Sequence, residues 1–168
     1  MSPNEGPASP NEGPAKAPAA APPAPPRGVK AGAGKYVFEL ARVNRVEAGP
    51  DYSTAAGSLV EGERFMMGLM RMPKGTGARA HSHPNEQWVY VIEGTLLVEV
   101  DGHKAEAKPG SLVYFPPNSV HSSMATPDRD VVFLTGKDLS HGIWGTAVDQ
   151  STTGPRYAPG FEPARNPT

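Results

Sequence analysis

The chain contains no cysteine. That excludes disulfides, thiolate zinc sites and thiol catalysis, and leaves the redox compartment undefined. It also lacks an excess of one charge: 16 Lys and Arg against 17 Asp and Glu give a formal net charge of −1. Without a basic field, nucleic acid is not an expected partner. No apolar run approaches the roughly 20 residues of a membrane span. The N-terminus lacks the basic-then-apolar pattern of a signal peptide. A membrane partner is therefore not expected, and the cytoplasm is the expected location. Sustained helical periodicity is missing too, which points towards β-structure.

Proline and glycine are abundant instead, at 20 and 19 of 168 residues. Residues 1–34 are of low complexity. The heptad Ser2-Pro3-Asn4-Glu5-Gly6-Pro7-Ala8 repeats at once as residues 9–15, and a Pro/Ala run follows to Pro26. Prolines this dense remove backbone donors, and few apolar residues are present to offset the entropy of ordering. Residues 1–34 are thus expected to be a disordered tail. Residues 149–168, again punctuated by proline, are expected to be a C-terminal arm or tail. Between them, residues 35–148 make one domain.

That domain is expected to be all-β. Strand-like segments are Tyr36–Val43, Arg64–Met72, the run after Pro84 to Ile92, Thr95–Val100, His103–Ala107, Ser111–Phe115 and Val131–Thr135, with Gly142–Val148 a candidate for the last. Asp101-Gly102 is a strong hairpin signal, Pro109-Gly110 marks a second turn, and Asn118 suits a left-handed turn position. Many short strands separated by turns suggest a barrel or sandwich.

His81 and His83 stand one residue apart, with Gln87 four positions on and His121 after the hairpin. Neutral imidazoles that converge inside a fold are metal ligands more often than anything else. Side chains alternate faces along a strand. The odd-numbered His81, His83 and Gln87 then share one face, and Glu86 takes the other. Parity nominates Gln87 over its acidic neighbour as the third ligand. The strand that delivers His121 is expected to neighbour the strand after Pro84.

These residues resemble the two motifs of the cupins. Gly75, His81, His83 and Gly94 match the first motif, with Gln87 in the position of its glutamate. Gly110, Pro116 and His121 match the second, with Asn118 in place of a glycine and Ala125 in place of the final asparagine. The resemblance spans residues 75–125 and extends with flanking strands to about 35–148. It implies a single-domain jelly-roll β-barrel of the small bacterial kind. It also implies one divalent metal, Fe(II) or Mn(II) ahead of Zn, Ni or Cu, held by His81, His83, Gln87 and His121.

One fold hosts many reactions, so function has to come from the site. Three imidazoles and an amide leave the ion's charge uncompensated, which suits an anionic ligand. The expected function is a mononuclear metal enzyme acting on a small enolisable, phenolic or acidic metabolite. Dioxygenation stands slightly ahead of non-redox isomerisation, cyclisation or elimination, and a non-catalytic small-molecule or metal-binding module is the alternative. Weak catalytic candidates are Tyr90, Tyr114 and Arg79. Met66, Met67, Met70 and Met72 are expected to include core and pocket-lining positions. His103 is expected in solvent and His141 in a turn. Trp88, Tyr90 and Ile92, on the face away from the ligands, form an apolar row that needs cover, so a homodimer is expected.

Overall fold

A computed structural model describes residues 28–164. The strands are β1 (Val29–Lys30), β2 (Arg45–Glu47), β3 (Ala56–Glu61), β4 (Phe65–Met72), β5 (Thr76–Ser82), β6 (Gln87–Glu93), β7 (Leu96–Val100), β8 (His103–Ala107), β9 (Leu112–Phe115), β10 (His121–Ala125), β11 (Val131–Asp138), β12 (Thr146–Ala147) and β13 (Arg156–Tyr157). One sheet runs β1-β3-β4-β11-β6-β9, with β2 beside β3; the other runs β12-β5-β10-β7-β8, with β13 beside β5. The protein is an all-β jelly roll. Its core lies between the sheets: Met66, Met70, Val89, Val91 and Phe133 of the first meet Leu96, Val98 and Ala125 of the second. Among the described residues no helix is long and apolar enough to cross a membrane.

The turn chemistry follows the sequence. Asp101 and Gly102 both take positive φ, 47° and 84°, as a two-residue hairpin between β7 and β8 requires. Asn118 takes φ 61° in the turn before β10. Gly75 has φ 68°, and a Cβ there would lie 2.3 Å from the Phe161 ring, so only glycine serves.

Four expectations are corrected. First, Tyr36–Val43 is no strand: it holds only a 3₁₀ turn at Leu40–Arg42, and Tyr36 and Val37 are largely exposed. Strand propensity there finds no sheet edge to pair with. Second, residues 28–34 do not all belong to a tail. β1 lies parallel to β3, with Val29 opposite Val60 and Lys30 opposite Glu61. Gly28 N–H and Lys30 Nζ reach the buried Glu61 carboxylate at 3.0 and 2.6 Å. A buried charge needs such donors, and composition does not reveal them. The rest of that expected tail, residues 1–27, lies outside the described residues. Third, the closing strand shrinks from Gly142–Val148 to Thr146–Ala147. Fourth, β10 neighbours β5 and β7, not β6, because the chain crosses from one sheet to the other between Ser82 and Gln87.

The C-terminal segment is an arm laid on β5. Arg156 pairs with Gly77 and Tyr157 with Thr76.

Candidate metal centre

The site forms where β5, the crossover to β6, and the start of β10 meet. His81 and His121 are direct partners across β5 and β10. Farther along, Ser123 pairs with Ala78, so two residues of β10 span three of β5. That extra residue is a bulge, and it re-aims the end of β5 so that His81 turns inward. His83 follows in the crossover, and Gln87 opens β6 in the facing sheet. All three imidazoles are buried, and their ring nitrogens lie within 4.8 Å of one another.

Each ring is held the same way. His81 Nδ1 donates to the Arg79 carbonyl at 2.8 Å, His83 Nδ1 to the Asn85 carbonyl at 2.8 Å, and His121 Nδ1 to the Ser119 carbonyl at 3.0 Å. A carbonyl can only accept, so the proton sits on Nδ1 and each Nε2 keeps a lone pair. Fixing the outer nitrogen on a carbonyl is how proteins orient metal-binding imidazoles. His121 Nε2 is buried with no hydrogen-bond partner. Three converging lone pairs, one of them orphaned, fit a metal ion.

Gln87 is oriented as well. Its Nε2 donates to Thr135 Oγ1 at 2.9 Å, which turns Oε1 towards His83 Nε2, also at 2.9 Å. Neither of those facing atoms carries a proton. In this orientation both atoms offer lone pairs to a shared positive centre.

Burial lowers the basicity of the histidines. His83 and His121 fall to about 4, and His81 falls well below its ordinary range, with the neighbouring imidazoles and Lys137 adding to the effect. All three are therefore neutral near pH 7, as metal binding requires.

The sequence did not single out three residues that shape the site. Tyr52 is buried with its ring 4.3 Å from that of His81, and its hydroxyl accepts the Gly145 N–H at 2.6 Å. Burial raises its phenol to about 12, so it stays protonated. Asn85 is fully buried; its side-chain Nδ2 donates to the Asp138 carbonyl at 3.1 Å and pins the crossover. Lys137 is only 3% exposed and donates to the Ile143 carbonyl at 3.0 Å. The inward parity of β11 (Val131, Phe133, Thr135) extended to Lys137 was the available signal.

The cavity in front of the imidazoles measures about 60 Å³, and its apolar wall includes Met70, Met72, Val89, Leu96, Phe115 and Phe133. Among the described residues no carboxylate lines it.

The three catalytic candidates lie elsewhere. Tyr90 and Tyr114 are exposed on the outer face; the Tyr114 ring lies 4.5 Å from Trp88 and its hydroxyl donates to Glu86 at 3.3 Å. Glu86 also accepts the Trp88 indole N–H at 2.8 Å, pointing away from the site as parity requires. Arg79 binds Asp149 and Ser151 side chains at 2.9 and 2.6 Å and the Gly154 and Asp51 carbonyls at 2.6 and 3.1 Å. Its guanidinium clamps the C-terminal arm. The bulge explains the miss, since it separates Arg79 from the face of His81. Met70 and Met72 line the cavity, Met66 is in the core, and Met67 is exposed. His103 and His141 are exposed.

Comparison with known proteins agrees with this architecture. The sequence model of the cupin domain matches residues 68–136. A bifunctional lysine-specific demethylase and histidyl-hydroxylase NO66 from Branchiostoma floridae is 29% identical over 82 residues; the match covers 46% of this chain and only 14% of that protein. Among solved structures, the polyketide cyclase RemF from Streptomyces resistomycificus aligns with TM-score 0.54 at 19% identity, over 61% of this chain and 78% of the other. An RmlC-like cupin from Shewanella frigidimarina aligns with TM-score 0.51 at 21% identity, over 61% and 87%. At these identities the two structures speak for the fold alone. Two motifs, a jelly roll and a cluster of three inward histidines lead to one conclusion: residues 68–136 of this chain form a cupin domain.

Proposed function

We propose that the protein is a mononuclear metal-dependent enzyme that binds a small oxygenated acid as its anion and carries out non-redox proton-transfer chemistry, namely isomerisation, cyclisation or elimination. The observation that carries this is the donor set: three neutral imidazoles and a neutral amide around a cavity lined, among the described residues, by a lysine and no carboxylate.

His81, His83, Gln87 and His121 would hold the ion. The 2.9 Å separation of His83 Nε2 and Gln87 Oε1 supports Gln87 as the fourth ligand. Two bonds of about 2.1 Å at right angles place their donor atoms about 3.0 Å apart. When bound, the ion supplies Lewis acidity to a substrate oxygen. The chain's own residues then hold and select. The Nδ1 bonds fix the rings, Thr135 fixes the amide, Tyr52 covers His81, and the apolar wall excludes water. Because no ligand contributes negative charge, the ion's charge remains available to an anion. The same charge balance opposes a metal that must give up electrons, since surrounding positive charge raises its potential. This turns the slight preference of the sequence for dioxygenation towards non-redox chemistry.

Protein purified without chelator, analysed for metal and then loaded with Fe(II), Mn(II) or Zn, would be incubated with small oxo-, hydroxy- and phenolic acids. Product formation without oxygen is expected. Turnover strictly coupled to oxygen consumption would return the assignment to a dioxygenase.

We also propose that a second copy covers the outer face of the larger sheet. Two rows cross four strands there in register: Met67, Gly136, Trp88, Tyr114 and Leu69, Leu134, Tyr90, Leu112. The large apolar side chains of these rows on β4, β6 and β9, except Leu69, are more than a third exposed. A contiguous apolar patch on a twisted sheet suits an identical patch related by a two-fold axis.

A further inference from the structure

Lys137 is a buried amine that, among the described residues, has no anionic partner in the cavity. Among the described residues its Nζ makes one hydrogen bond, to the Ile143 carbonyl, of the three that an ammonium can donate. The neighbouring carboxylate, Asp138, faces away and accepts the backbone N–H groups of Glu86 and Ser140 at 2.7 and 2.8 Å. Glu61 lies two strands away, through Met66, and is engaged by Lys30 and the Gly28 amide. Lysines are almost never fully buried unless paired. An unpaired one lining a small cavity beside the imidazoles implies that the counter-ion arrives with the ligand.

The cavity sets the size of that ligand. At roughly 10–15 Å³ for each enclosed water-sized group, about 60 Å³ holds roughly four to six non-hydrogen atoms. A carboxylate flanked by one more oxygen fills it. Lys137 stands opposite Gln87 across β11 and β6, so one anion can touch the ammonium while its neighbouring oxygen faces the imidazoles.

We propose that Lys137 is the specificity-determining residue of the site, pairing with the carboxylate of a small 2-oxo or 2-hydroxy acid whose adjacent oxygen faces His81, His83 and His121. The inference rests on the functional assignment above and deepens it by naming the substrate class.

The test is calorimetric binding of pyruvate and of pyruvamide, its uncharged counterpart, to metal-loaded protein. Wild type should prefer pyruvate at least tenfold. Lys137→Met, which suits the methionine-lined surroundings, should bring the ratio near one while metal content and pyruvamide affinity stay unchanged. Lys137→Gln, which can still reach towards the Ile143 carbonyl, should behave the same, so a folding defect in one variant does not decide the matter. A preference retained in both variants would overturn the assignment, because the metal alone would then select the anion. Absence of any preference in wild type would also overturn it. If wild type holds no metal yet prefers pyruvate, and the variants lose that preference, the metal assignment fails and the role of Lys137 stands.

Discussion

The inner face of β6 presents Gln87, Val89 and Val91 to the imidazoles and the core; its outer face presents Trp88, Tyr90 and Ile92 to solvent. Gln87 opens the inner row and Glu86, the residue before the strand, lies against the outer one, and the two differ in how they are satisfied. Inside, the Gln87 amide is fixed by Thr135 and leaves its oxygen facing an imidazole lone pair. Outside, Glu86 is satisfied by the Trp88 and Tyr114 side chains. The inner group offers its oxygen to a positive centre, and the outer one already accepts two donors. Residue type alone would favour the glutamate as ligand. Geometry favours the glutamine.

The largest expected effect lies on the inner face. His81→Ala, His83→Ala and His121→Ala should each remove most of the bound metal, and Gln87→Ala should remove part of it, by elemental analysis after dialysis. Glu86→Ala should leave metal content unchanged. A loss there equal to that of Gln87→Ala would erase the difference between the faces.

Acid should act next. His83 and His121 have folded values near 4 against 6.5 for the free side chain. Their depression means that the unfolded chain binds protons first as pH falls. The stability contributed by the neutral rings is whole above about pH 6.5 and is lost as pH falls towards 4. Metal-free protein should therefore melt at progressively lower temperature across that window. Bound metal should leave over the acid range with more than one proton taken up per ion. Proton uptake near zero would mean that histidines are not the principal ligands.

The outer face should respond to a different change. Tyr90→Lys should convert a dimer to monomer by light scattering at micromolar concentration and leave metal content untouched. A wild-type monomer at that concentration would remove the association role.

The smallest effect concerns Lys137. Its amine is pulled down to about 7, mainly by burial. Because the depressed value penalises the charged form, stability is lost as pH falls from about 10.5 to about 7. Lys137→Met should remove that penalty and raise the melting temperature of ligand-free protein at neutral pH by a few degrees, with ~1 kcal/mol worth roughly 2–8 °C.

Much of this was legible because it is local. Turn residues fixed the β7–β8 hairpin, and alternation along β6 sorted Gln87 from Glu86. Spacing placed His81, His83 and His121 in one set. What escaped depends on partners far away in sequence. The same parity that selected Gln87 spans two strands in different sheets, and it holds because the β5 bulge lies before His81. Arg79 shares that odd parity but belongs to the arm, since the bulge intervenes. Lys137 is the last inward residue of β11, and its side chain becomes informative only once the strand is known to face the imidazoles. Tyr36–Val43 shows the reverse case, strand propensity without a partner edge.

The central claim is that three imidazoles and one neutral amide hold a single divalent ion. X-ray absorption at the metal edge, on protein with one ion per chain, tests it most directly. The account predicts the multiple-scattering pattern of three imidazoles with oxygen donors completing the shell, and a spectrum unchanged by Glu86→Ala. Two or fewer imidazoles, or a shell altered by Glu86→Ala, would contradict it.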